Sequence, residues 1–163
     1  MTESVVHLLR STAISHAMVN SIWLWPLCET LHFIGLALLI GTAGLLDLRL
    51  MGFLRRVPLA AAMQLRPWAA LGFVINLVTG TLFFIGAPGQ YIDSAVWWGK
   101  LAFLAVAMIN IAVFETGPGR RLLTLADDAD TPLSCKLAGA VSIMSWFAVL
   151  YLGRMLPFIG KAF

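Results

Sequence analysis

Charged residues are scarce in this sequence. They make up 12% of 163 residues, while 60% are hydrophobic; soluble domains run nearer 25% and 45–50%. Mean hydropathy is +0.90. A chain this short has too little interior to hide that excess, so a water-soluble globule is excluded, and so is a disordered chain. Cysteine is nearly absent. Cys28 and Cys135 cannot make a disulfide scaffold, and they fall near the outer end of the first apolar run and the inner end of the fourth, beyond the roughly 7 Å that a bridge tolerates between Cα atoms. There is no Cys-x-x-Cys, no His-Glu-x-x-His and no glycine-rich phosphate loop. The opening Met1-Thr2-Glu3-Ser4 lacks the basic start of a secretory signal, and no short apolar run with a small-residue cleavage site follows. The net charge of +3 does not point to nucleic acid, because the charges sit between apolar runs, where they orient a chain in a membrane.

What the sequence does have is four apolar runs, from about Ile22 to Leu46, Trp68 to Ile85, Trp97 to Phe114 and Leu137 to Phe158. Roughly 20 residues at 1.5 Å each cross a hydrocarbon core about 30 Å thick. None alternates as a barrel strand would. The expected fold is all-α: a single-domain integral membrane bundle of four transmembrane helices. Residues 1–20 carry Val5, Val6, Leu8, Leu9, Ile14 and Met18 and predict a short N-terminal interfacial helix. Trp23, Trp25, Trp68, Trp97 and Trp98 mark interfaces. Gly35, Gly41 and Gly44 read as close-packing points between helices. Asp127, Asp128 and Asp130 read as a solvated turn. Seven basic residues fall in the connections on one side (Arg49, Arg55, Arg56, Arg66, Arg120, Arg121, Lys136), and four (Arg10, Lys100, Arg154, Lys161) on the other. The positive-inside rule then places both termini outside, on the periplasmic side of a bacterial inner membrane.

Polar groups inside a span are costly and point to function. Glu29 and His32 are three apart and share one helix face. His32 is expected near the bilayer midplane, with Gly35 on the same stripe leaving room for a flat group. Lys100 and Arg154 should reach the same outer level, one turn beyond Tyr151, so that Glu29, His32, Lys100 and Arg154 can form one cluster. One reading is heme b, with His32 as axial ligand and Lys100 or Arg154 balancing a propionate. His7 and His16, the other histidines, precede the spans, so a bis-histidine heme within the bundle is excluded; Met108 or Met144 could offer a thioether. A second reading is metal at His32, with copper the candidate through Cys28 and methionines. A single Glu-x-x-His argues against a di-iron centre. The third reading is structural: Glu29 pairing with Arg154, His32 bonding a neighbouring helix, and Asn76, Thr79 and Asn110 acting as interhelical glue. Glu115 is expected to pair with Arg120 or Arg121 as an anchor.

The run Trp23-Leu-Trp-Pro-Leu-Cys-Glu-Thr-Leu-His32-Phe-Ile-Gly35, continuing to Gly41-Thr42 and Leu46-Asp47-Leu-Arg49-Leu, resembles the opening of a bacterial inner-membrane family catalogued as a domain of unknown function. Thr79-Gly80, Phe83-Phe84, Lys100, Asn110, Ser145-Trp146 and Gly153-Arg154 extend the resemblance over nearly the whole chain. That family looks distantly similar to the copper-resistance D group and to small cytochrome b-like bundles. Its relatives often carry Phe-His where this chain has Phe114-Glu115. The resemblance supports four helices and marks these polar positions but supplies no activity; the polar cluster carries the expectation of a subunit without catalytic activity of its own, linked to respiratory electron transfer, with heme b or quinone near His32. Such a bundle, embedded in the lipid bilayer, would associate with itself or a larger complex.

Overall fold

A computed structural model of the chain describes residues 2–122 and 130–159. All regular structure among the described residues is helical. Two short helices, α1 (Thr2–Arg10) and α2 (Ala13–Asn20), precede the first long one. The long helices are α3 (Leu24–Met51), α5 (Arg66–Gly86), α7 (Ala95–Thr116) and α9 (Leu133–Ile159). Between them lie the single-turn helices α4 (Leu59–Met63), α6 (Pro88–Ile92) and α8 (Pro118–Leu122). The four long helices are each long and apolar enough to cross a membrane. The expected spans are therefore present. Asp127, Asp128 and Lys161 lie outside the described residues.

The N-terminal segment is two helices rather than one. Thr12 caps α2 by accepting from the Ser15 backbone N–H at 3.2 Å, as N-cap hydroxyls do. Met18 on α2 is buried, and its side chain closes on Gly86 at the end of α5. α2 is thus anchored to the bundle, while α1 lies against α6.

The first span runs further than its apolar pattern, to Met51, where Gly52 at φ 92° ends it and the Phe53 N–H returns to the Leu48 carbonyl. Left-handed glycine closes helices in this way. The extension corrects the placing of Arg49 in a loop. Arg49 belongs to α3, is 1% exposed, and donates from Nε to the Val57 carbonyl at 2.6 Å. Arg66 likewise opens α5, and Lys136 lies within α9.

α3 packs against α5 on one side and α9 on the other, and α9 packs against α7. The α3–α5 crossing is the tightest. A Cβ on Gly72 would stand 2.6 Å from the Leu39 nitrogen and 2.7 Å from the Gly35 oxygen, so only glycine permits this approach. Gly35 is thus a packing point. Gly41 and Gly44 are not: a Cβ on either would meet nothing within 4 Å. The second contact point is Gly139, whose added Cβ would meet the Asp47 oxygen at 2.8 Å.

α5 and α7 scarcely touch along their lengths. They are joined at their ends instead, by an Arg66–Glu115 ion pair at one end and by Phe84 stacked on Trp97 at the other, 5.6 Å between centroids and 8° between planes. Between these ties the two helices stand apart.

Candidate functional site

The polar residues separate into two groups, one in each half of the bundle. The first lies towards the end that holds α1, α2 and α6. Here the His32 Nδ1 is 2.7 Å from the Thr79 Oγ1 on α5. The Thr79 hydroxyl donates to the Ile75 carbonyl, also at 2.7 Å, which uses its one proton. The Thr79 oxygen therefore accepts from Nδ1–H, and the Nε2 of His32 carries a bare lone pair. Phe83 stands edge-on to the imidazole at 5.6 Å and packs against Trp25 at 5.1 Å. Trp25 in turn donates from Nε1 to Glu29 Oε1 at 3.1 Å. Lys100 lies within electrostatic reach of His32, its ammonium 5.7 Å from the Trp97 ring centroid. In α6, burial first and then the charge of Glu29 push the Tyr91 phenol above its ordinary pKa.

The expected four-residue cluster is thus assembled only in part. Glu29, His32 and Lys100 occupy one region. Arg154 is exposed and lies over the Phe158 ring at 5.1 Å. Among the described residues no ion pair joins Glu29 to Arg154 or Lys100. The slot expected at Gly35 does not exist, because a Cβ there would already meet Asn76 Nδ2 and Ile75 Cγ2 at 2.8 Å; α5 fills the space. Cys28 and Cys135 are both free. No group of three His, Cys, Asp or Glu side chains suited to a metal occurs among the described residues. Met108 lines a cleft described next, and Met144 is 71% exposed on α9. His16 is exposed on α2, and His7 on α1 lines a shallow surface hollow with Arg10 and Asp93. Glu115, expected to be anchored by Arg120 or Arg121, forms an ion pair with Arg66; the Arg121 side chain lies outside the described residues.

The second group was missed as a site. In the half nearer α4 and α8, the gap between α5 and α7 is a cavity of about 670 Å³ backed by α3 and α9. Its walls are mostly apolar, with Leu46, Phe73, Phe114 and Trp146 among them, and its polar lining includes Asp47, Asn110 and Ser142. Asn110 donates to the Ala138 carbonyl at 2.9 Å, tying α7 to α9 as the expected glue. Asp47 is 6% exposed. The Ser142 hydroxyl faces its carboxylate, yet Oδ2 has no hydrogen-bond partner. The signal available in sequence was Asp47 itself, five residues before the glycine that ends α3 and so inside the helix rather than beyond it.

No curated protein and no solved structure matches the chain. A family described as one of unknown function (DUF6644) matches residues 18–159, which takes in all four long helices and both polar groups. The chain belongs to that family.

Proposed function

We infer that this protein is a non-catalytic membrane subunit linked to electron transfer, in which His32 meets a heme b or a quinone through Nε2. The observation that supports this reading is the Thr79–His32 pair, with the Thr79 proton committed to Ile75. Histidines that ligate metals characteristically donate their other ring N–H to a fixed acceptor, which sets the tautomer and the ring's orientation. A bare imidazole nitrogen held in that way can ligate iron or accept from a quinol hydroxyl. Lys100 supplies positive charge for a propionate or a reduced quinone, and Glu29, beside Tyr91, offers a proton acceptor nearer the helix ends. The ligand approaches His32 away from Gly35, since α5 occupies that side. The bundle sits in a bacterial inner membrane with both termini periplasmic, as the distribution of Lys and Arg favours, and joins a larger redox complex or a second copy of itself.

The test is an optical spectrum of gently purified protein, oxidised and then dithionite-reduced, with extraction of bound quinone from the same sample. A Soret band or stoichiometric quinone, lost in His32→Ala and weakened in Thr79→Val, is the expected result. A featureless spectrum with no quinone would sink the reading. Metal analysis of that sample would then separate a copper-handling protein from a purely structural subunit.

A further inference from the structure

The cleft between α5 and α7 has the features of a ligand site independent of His32. Fifteen residues of α3 separate Asp47 from His32, roughly 22 Å at 1.5 Å per residue. Its volume, about 670 Å³, falls within the range of small-molecule pockets, which are mostly apolar with a few polar groups that fix orientation. Its mouth is framed by Ala70, Met108 and Ile111, all exposed side chains on the outward faces of two membrane-crossing helices. The cleft therefore opens sideways, towards hydrocarbon. Among the residues lining the cleft is Asp47, more than nine-tenths buried, whose carboxyl keeps one oxygen, Oδ2, that the protein does not satisfy. A buried carboxylate oxygen without a donor is costly, and membrane interiors tolerate such groups where they face a functional cavity.

We propose that this cleft binds a lipid-soluble alcohol: a ring-bearing apolar body that enters from the bilayer and donates its hydroxyl to the Asp47 carboxyl group. The mouth selects for neutral molecules, because a permanent cation would have to cross hydrocarbon to reach it. Phe73 and Trp146, edge to face at 6.1 Å, present an aromatic wall to the ring. The Ser142 hydroxyl faces the Asp47 carboxyl and the Asn110 amide lines the same cleft, which suits a head that also accepts. Two sources share this chemistry, a reduced isoprenoid quinol and a fused-ring lipid alcohol.

Equilibrium binding to the protein in lipid nanodiscs tests the proposal, with an anaerobic decyl-benzoquinol and its dimethyl ether as paired probes. At the cleft the quinol should bind one per chain and the ether about tenfold more weakly, the loss of one hydrogen bond to the Asp47 carboxyl. Asp47→Leu should bring the quinol down to the ether's affinity. Ala70→Trp, which fills the mouth from a lipid-exposed position, should abolish binding of both without touching the core. His32→Ala should leave the Asp47-dependent component of binding in place, whereas any quinol held at His32 is a separate component that neither Asp47→Leu nor Ala70→Trp removes, so failure here and failure at His32 are separate results. Tighter binding of a sterol-type alcohol than of the quinol identifies the lipid alcohol as occupant; the reverse order identifies the quinol. Equal binding of quinol and ether, indifference to Ala70→Trp, or an Asp47-dependent preference for a lipophilic amine overturns the proposal.

Discussion

The two halves of the bundle treat buried polar groups in opposite ways. Near α2 and α6 the polar side chains around the histidine are paired within the protein: His32 has Thr79, Thr79 has Ile75, and Glu29 has Trp25, while deeper, beside Gly35, Oδ1 of Asn76 is buried without a donor. Aromatic rings close the space around them, from Trp25 through Phe83 to the Phe84–Trp97 stack. Near α4 and α8 the helices diverge, the space stays open, and Asp47 keeps an unpartnered oxygen. The contrast separates two kinds of candidate site. A satisfied histidine is a preset ligand atom whose orientation the fold has already fixed. An unsatisfied carboxylate marks where the fold itself is incomplete as a hydrogen-bonding system.

The contrast depends on the α3–α5 crossing, so breaking that crossing should have the largest effect. Gly72→Leu drives a side chain into the Leu39 and Gly35 backbones, which cannot yield as a flexible side chain could. Overpacking costs typically about 1–3 kcal/mol, and backbone contact puts this variant at the upper end. Thermal unfolding in detergent should show a large fall in Tm, with the His32–Thr79 contact and the cleft lost together. Gly41→Leu, at a position with open space around it, is the matched control and should leave Tm close to that of the parent.

Asp47→Leu should sharpen the contrast with a smaller change of opposite sign. Replacing a partly satisfied buried acid with an apolar group of similar size is often neutral or stabilising. Tm should stay level or rise, with a gain in stability of about 1 kcal/mol at most, even as the cleft loses its acceptor. Thr79→Val does the reverse in the other half, removing a satisfied interhelical bond at a cost of about 0.6 kcal/mol, the average for membrane helices. A fall in Tm for Asp47→Leu larger than that for Thr79→Val would mean that Asp47 is structural and that the halves do not differ as described.

Sequence reading recovered the four spans because their signal is length and hydropathy, which the bilayer imposes directly. It also found His32, since a lone histidine amid apolar residues is conspicuous. It lost Asp47 and Arg49 because hydropathy falls at the end of α3 before the helix does. The Gly52 turn, not the charge, is the physical boundary. Gly35, Gly41 and Gly44 looked alike in sequence, yet only Gly35 meets a partner helix. Which face of α3 turns inward depends on helix order, and with neighbours on two sides of α3 the apolar pattern carries almost no direction. Helix order also decided Glu115, which finds Arg66 across the mouth of the cleft rather than the nearby Arg120 in its own connection.

The smallest effect should come from the exposed ion pairs in the connection entering α9, outside both sites. The Lys136 ammonium donates to Asp130 Oδ2 at 2.9 Å, and Arg55 lies 3.4 Å from Oδ1. The hydrogen bond from Lys136, with the nearby positive charge of Arg55, holds the Asp130 carboxyl below its ordinary pKa. A carboxylate with a lowered folded pKa stabilises the fold above the unfolded value near 3.9, and the contribution fades as pH falls through the folded value. Asp130→Asn should therefore lower Tm slightly at pH 7, and the gap to the parent should close as pH drops below about 4. Because the pair is exposed, added salt should shrink the gap at pH 7 as well. A difference that survived both acid and high salt would show that Asp130 acts through packing of the turn rather than charge. Neither the His32 spectrum nor the affinity of the cleft should respond to this variant, since Asp130, Arg55 and Lys136 line neither site and Thr131 keeps its bond to the Leu50 carbonyl.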